Sequence, residues 1–468
     1  SASTAGLNTT YACTVDRFWF SSSVLFARRS ARRSLGVPFV FALPPLAPTA
    51  KLAMAPRTRD EDRHLAGALT VEELAPMVGP KASLLHSRHG LSTVPTAGRQ
   101  PPPTFTIKQL RDAVPAHCFE RSLARSSMHL AGDLAMIAVM AVAIHTIDGL
   151  SWLPLPMRAV AWAAYWWFQG AVMTGVWVLA HECGHQSFSP SRRINNAVGW
   201  VLHSALLVPY HSWRITHGTH HKNTNHMGRD QVFVPHTKSE FFADVASPKD
   251  GTFADAVSET PVAELVGIAQ MLLLGWPAYL LMNTASQKHP GKWVNHFNPS
   301  SPIFAAKDRT DIIMSDVGLL LVFGAIGAAI KEWGFGAVAR YYLIPYLFVN
   351  MWLVLITYLQ HSDVRVPHYR NGEWTFVRGA VGAVDRDYGI YNVLQHHIGD
   401  THVAHHLFSQ MPFYHAQEAT EALKKALGQY YLQDSTPIPK ALWRSWTQCK
   451  FVPDEGEVLY YSSPYKAE

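Results

Sequence analysis

An uncharged apolar run, Ala159 to Ala180, leads without interruption into His181-Glu182-Cys183-Gly184-His185. A helix of that length spans roughly 30 Å, the thickness of a bilayer's hydrocarbon core, so the sequence delivers paired imidazoles at the end of a membrane-crossing segment. Two more clusters follow, His217-Gly218-Thr219-His220-His221 and His402-Val403-Ala404-His405-His406, with further apolar stretches between them. Residues three and four apart share a helical face, and each cluster therefore offers two or three imidazoles in one direction. Eight such donors exceed the three or four that satisfy a single zinc, and they suit two first-row ions such as iron. Any one of the 25 histidines is more often hydrogen-bonded than ligating, but three clusters of matching spacing are not explained that way.

Composition agrees with a chain partly in lipid. Hydrophobic residues make up 48% and charged residues 16%, against roughly one quarter charged in soluble proteins. The formal net charge is +6, yet no stripe of Lys and Arg with interleaved aromatics runs through the middle. The surplus reads as membrane-surface and N-terminal charge, not as a nucleic-acid interface. Cys13, Cys118, Cys183 and Cys449 form neither a disulfide framework nor a C-x-x-C site, as expected of a reducing, cytosol-facing environment.

Residues 1–100 are rich in Pro, Ser and Arg and are expected to be disordered. Asp16 faces Arg17, Arg28, Arg29, Arg32, Arg33 and Lys51 there, the composition of a transit peptide. Met54, ahead of the hydrophilic stretch Arg57 to Arg63, competes as a natural start preceded by extra translated sequence. The membrane domain is expected over 101–452, with 453–468 as a C-terminal tail.

The fold expected is an all-α integral membrane protein, with about four transmembrane helices, additional interfacial helices and a cytosolic cap holding the histidines. Leu134 to Leu150 makes a weaker hairpin partner for Ala159 to Ala180, turning at Ser151 to Pro156. Val262 to Met282, Asp311 to Ile330 and Tyr341 to Leu359 are the later spans. If all clusters meet, the second and third lie on one side, so an even number of these three segments must cross. Val262 to Met282, interrupted by Gly275 and Pro277 and carrying Glu264 and Gln270, is the one expected to lie in the interface or re-enter. Ile194 to Pro209 is too short to cross and return, which predicts an in-plane helix.

Five stretches carry a likeness: Pro115-Ala-His-Cys-Phe-Glu-Arg-Ser122, His181-Glu-Cys-Gly-His-Gln-Ser-Phe-Ser189, Arg229-Asp-Gln-Val-Phe-Val-Pro235, Val384-Asp-Arg-Asp-Tyr-Gly389 and Asp400-Thr-His-Val-Ala-His-His-Leu-Phe408. From about Phe105 to Val452 the chain resembles the membrane fatty-acid desaturases, and within them the microsomal delta-12 oleate desaturases of plants and algae. The resemblance implies an enzyme that uses O2 and two electrons to place a second cis double bond in an oleoyl chain on a phospholipid such as phosphatidylcholine. It implies two non-haem iron ions bound by His181, His185, His217, His220, His221, His396, His402, His405 and His406. The ninth imidazole comes from an Asn-x-x-x-His step ahead of the third cluster, onto which Asn392 and His396 map, Asn392 acting through water and His397 left out. It also implies endoplasmic-reticulum residence with the cap facing the cytosol and cytochrome b5 as electron donor. A working plastid address would replace these with a chloroplast membrane and ferredoxin. The second cluster departs from plant relatives, which usually carry two arginines there, and the tail Tyr460 to Glu468 resembles an aromatic retrieval signal only loosely.

Rival functions share parts of the pattern. A fatty-acyl hydroxylase, epoxygenase or conjugase would use the same ligands. His181-Glu182-Cys183-Gly184-His185 is also a literal H-E-x-x-H, the helix motif of zinc proteases, with Glu182 as general base. Such a protease needs one more ligand, whereas at least six further histidines are grouped here. A histidine-rich transporter or binding protein is the remaining class. The sequence has no G-x-G-x-x-G loop, C-x-x-C-H site or iron–sulfur cysteine run, so electrons are expected from a partner. Glu182, Asp230, Asp385, Asp387 and Asp400 are candidates for orienting imidazole N–H groups.

Overall fold

Thr106 starts the first helix of the described residues, α1, Ile107–Ala113, with a reciprocal cap. The computed structural model describes residues 101–245 and 260–464. The expectations for residues 1–100 lie outside the described residues.

Ser122 accepts the Arg125 amide at 3.3 Å and starts α2, Leu123–Asp148, well ahead of the expected Leu134. The extra turns carry Arg125, His129 and Asp133, whose polar ends find protein partners. Arg125 lies over the Tyr414 ring, and Asp133 is buried against His396. After a short turn, Pro154 opens α3, Leu155–Gly184, which ends in the first histidine cluster. Trp162 Nε1 donates to Asp148 at 3.0 Å and Gln169 Nε2 to the Ile137 carbonyl at 3.4 Å, so α2 and α3 form the expected hairpin.

Among the described residues, the helices long and apolar enough to cross a bilayer are Leu123–Asp148, Pro261–Met282, Ala306–Trp333 and Phe335–His361. α3, expected to be the clearest span, is not among them. Its many Trp, Tyr, Gly and Gln residues lower its hydropathy, and they are tolerated because the second half of the helix is enclosed by protein instead of facing lipid. Gly170 allows that enclosure: a Cβ there would sit 2.3 Å from Phe348 Cβ.

The expected in-plane segment is α4, Arg192–Ala205, capped by Ser191. It is followed by α5, Tyr210–Asn223, with the second cluster. α6, Pro261–Met282, is capped by Thr260, passes through Pro277 without ending, and stops at Asn283 in the left-handed region. Both ends of α6 are tied to the histidine-bearing side of the molecule. Near its start Glu264 meets Lys450 at 3.2 Å; near its end Tyr279 donates to Thr216 of α5 at 3.3 Å. α7, Arg309–Trp333, starts beside α5, where Arg214 pairs with Asp311 at 2.9 Å and Ser315 accepts the His211 amide at 2.9 Å. Gly334, at φ +81°, reverses the chain into a run that contains a π-helical turn, Ala339–Leu343, and then α8, Ile344–His361.

The rest of the chain builds the cap from short pieces. β1, Pro367–Tyr369, pairs antiparallel with β4, Val458–Tyr460, so residues set apart as a tail are woven into the cap. β2, Asp385–Arg386, pairs in parallel with β3, Gln433–Asp434. Between them lie α9, Ile390–Leu394, and α10, His402–Leu407, the latter carrying the third cluster. α11, Ala416–Leu427, buries Leu423 and Leu427 in one apolar cluster with Leu110, Val403, Ala404 and Leu407. α12, Ile438–Gln448, lays Trp446 toward Tyr358, with ring centroids 6.4 Å apart.

Candidate metal centre

The three clusters reach one place because each sits on a helix whose end points there. α3 supplies His181 and, as the residue that caps its C-terminus, His185; α5 supplies His217, His220 and His221, and α10 supplies His402, His405 and His406. Ligand atoms of His181, His185, His217, His221 and His405 lie within 4.8 Å of one another, and so do those of His220, His361 and His406. His402 Nε2 joins the second group, 3.1 Å from His361 Nε2 and 3.0 Å from His406 Nε2. The two groups adjoin, with the His221 and His406 rings stacked at 4.2 Å. All eight histidines of the three clusters therefore converge.

The imidazole that joins the eight is His361, at the end of α8, whereas the expected His396 lies outside both groups. His396 has φ +53° and places Nε2 2.7 Å from Asp133 Oδ2, away from either group. Asn392 is equally occupied, accepting from the Tyr388 amide at 3.1 Å and donating to Asp387 at 2.6 Å. The reason is local. α9 stops at Leu394 and both His396 and His397 are left-handed, so the assumed i, i+4 face does not exist. The missed signal was present in the sequence: Tyr341 to Leu359 runs into His361 just as Ala159 to Ala180 runs into His181.

Carboxylates and a hydroxyl hold the backs of the rings. His220 Nδ1 lies 2.6 Å from Asp230 Oδ1, His181 Nδ1 lies 3.1 Å from Glu182 Oε1, and His406 Nδ1 lies 3.1 Å from Thr224 Oγ1. Glu182 also accepts from Ser187 at 2.6 Å and faces His405 Nδ1 at 3.7 Å. It is thus aimed behind the ligands, where a protease general base has no work. The other three carboxylates act elsewhere: Asp385 accepts the Val403 amide at 2.9 Å, Asp387 holds Asn392, and Asp400 pairs with His397 at 3.0 Å.

Burial, reinforced by neighbouring imidazoles, holds His217, His221, His402, His405 and His406 well below the usual histidine range. They are neutral, the form that ligates. The arrangement fits metal better than hydrogen bonding. In two further pairs, His185 with His181 at 3.2 Å and His221 with His217 at 3.1 Å, Nε2 faces Nε2. A ring whose Nδ1 proton is already committed to a carboxylate presents only a lone pair at Nε2. His405 Nε2 is buried without a hydrogen-bond partner among these nitrogens. Converging neutral nitrogens of this kind suit first-row ions.

A cavity runs alongside. His181, His217, His220, His361 and His402 form part of its wall, and Trp177, Trp213, Met271, Trp276, Leu353 and Ile356 supply apolar lining.

A helical membrane protein with a histidine centre able to hold metal, opening on an apolar cavity, is the class that fold and site define. A family model described as fatty acid desaturase matches residues 160–437. The delta(12) fatty acid desaturase of Mortierella isabellina is 52% identical over 370 residues, 77% of this chain and 91% of that one. The omega-6 fatty acid desaturase, endoplasmic reticulum isozyme 1, of Glycine max is 42% identical over 82% of this chain and 99% of its own. The oleoyl-12-hydroxylase of Ricinus communis is 42% identical over 78% and 92%. This chain belongs to the fatty acid desaturase family and is an oxidoreductase.

Proposed function

We propose that this protein is an acyl-lipid delta-12 desaturase, converting oleoyl to linoleoyl chains on a phospholipid such as phosphatidylcholine. The observation that carries the reading is the lining shared by the apolar cavity and the imidazoles of both groups. An unactivated methylene cannot be deprotonated by any side chain, so an oxidant is needed. Two iron ions, when bound, would supply it from O2, two electrons and two protons, so that removal of two substrate hydrogens leaves a cis double bond and two waters.

The chain's own residues do the rest. His181, His185, His217, His221 and His405 would hold one ion, and His220, His361, His402 and His406 the other. Glu182, Asp230 and Thr224 orient rings through Nδ1. Trp177, Trp213 and Trp276 pack against one another beside His181, excluding water and confining an acyl chain. We assign α2, α3, α7 and the helical run ending in α8 as the crossing helices. α6 lies along the interface, a placement supported by the ties of both its ends to the cap side. This puts the ends of α3 and α8 and the start of α7 on one face, which we place toward the cytosol. Cytochrome b5 at the endoplasmic reticulum is the proposed electron source, in keeping with the named compartment of the Glycine max relative.

The test is expression in a yeast that makes oleate but no linoleate, with lipid products read by mass spectrometry. Linoleate supports the proposal. A 12-hydroxy acyl product would assign the chain instead to the chemistry named for the Ricinus relative, and unchanged lipids in cells holding iron-loaded protein would overturn both.

A further inference from the structure

Apart from the two imidazole groups, the described residues bring together a third set of donors of mixed type: His117, Cys118, His415 and Glu418, with ligand atoms within 4.8 Å of one another. Two distant segments meet there. His117 and Cys118 lie in the single 3-10 turn Ala116–Phe119, which follows Pro115; His415 is the residue before α11, and Glu418 lies in its first turn. His117 Nε2 is 2.9 Å from Glu418 Oε2 and 3.8 Å from Cys118 Sγ, and the His117 and His415 rings meet edge-on at 5.4 Å. Cys118 is fully buried while the side chains of His117 and Glu418 are half exposed, which gives the set a closed sulfur floor and an entrance from solvent.

We propose that these four side chains form a structural zinc site, separate from the histidine centre, that staples the segment preceding the first membrane helix to α11. The donor chemistry carries the choice of metal. Thiolate, imidazole and carboxylate together suit a borderline-soft ion and complete a closed tetrahedron, whereas the neighbouring centre offers nitrogen alone. Bonds of roughly 2.0–2.3 Å would set the donors about 3.3–3.8 Å apart. His117 and Cys118, at 3.8 Å, already match; His117 and Glu418, at 2.9 Å, open slightly to admit the ion, and the widest separations, up to 4.8 Å, close around it. The thiolate and carboxylate together balance its two positive charges. Arg125 is the competing group, with Nη1 3.3 Å from His415 Nε2. Its guanidinium also lies 4.2 Å over the Tyr414 ring, a contact that it retains when the ion takes His415. The consequence reaches the third histidine cluster, because α11 shares a core with α10 and α1.

The test uses the full chain, purified in detergent, and does not depend on the substrate assigned above. Elemental analysis should find about one zinc per chain beyond the iron, lost in Cys118→Ser and in Glu418→Gln with iron content unchanged. Zinc-depleted wild-type protein loaded with cobalt should show a thiolate-to-cobalt charge-transfer absorption, which an all-imidazole centre cannot give. That second measurement needs no variant to fold. Absence of both zinc and the cobalt band in the wild-type chain, or zinc retained in Cys118→Ser, overturns the proposal.

Discussion

Asp230 grips His220 and the turn after it at once: Oδ1 lies 2.6 Å from His220 Nδ1 while Oδ2 accepts the Asn225 amide at 2.7 Å. The carboxylate fixes both the tautomer of the ring and the end of α5. Asp230→Ala should therefore lower metal affinity by about 10- to 100-fold without removing a ligand. Iron content after graded chelation, compared with wild type, measures it. Unchanged retention would remove Asp230 from the site.

His361 and His396 make opposite predictions. His361→Ala should abolish desaturation and cut the iron content, since it removes one of four imidazoles in its group. His396→Ala should keep both irons, because that ring pairs with Asp133 instead. Iron per purified chain for the two variants decides between the observed ninth imidazole and the one expected from sequence spacing.

Gly175 admits the backbone of the following layer. A Cβ there would lie 2.3 Å from the Leu394 carbonyl oxygen, which is main chain and cannot rotate away. Gly175→Ala should cost about 1–3 kcal/mol of stability, the usual penalty of forced overpacking. Thermal denaturation in detergent reads this as a lowered midpoint.

Acid should loosen the cap through Asp434. Burial pushes its carboxyl up, but Arg386, the Thr436 hydroxyl and amide, and Arg444 outweigh burial and hold it below its ordinary value near 3.8. A depressed carboxylate contributes stability that is fully present above its unfolded value and is lost as pH falls through the lower folded one. Arg386, itself fully buried, also donates to Asp363 at 2.8 Å and to the Leu359 carbonyl at 2.9 Å, so the loss reaches the end of α8 beside His361. Midpoints measured on the acid side should fall less steeply with decreasing pH in Asp434→Asn, which starts from a lower value.

The sequence alone determined the eight clustered histidines, the helical membrane fold and the family, because these depend on spacing within a helix turn and on apolar run length. Glu182 and Asp230 were legible only as two of five candidate ring-orienting carboxylates; which of the five stand behind a ring was decided by the fold. His361 was not singled out, since a lone histidine after an apolar run is a weaker signal than a cluster; it joins the imidazole groups only when α8 packs beside α3. His396 falls outside the groups for the converse reason: spacing implies a shared face only if the helix continues, and α9 ends at Leu394. The interfacial place proposed for α6 followed from a parity argument, but the ties of Glu264 and Tyr279 to the histidine-bearing side required folded neighbours. Local periodicity is written in consecutive residues. Which distant helix ends meet is decided by packing, where a glycine such as Gly170 or a buried pair such as Arg386 and Asp434 selects one approach among many.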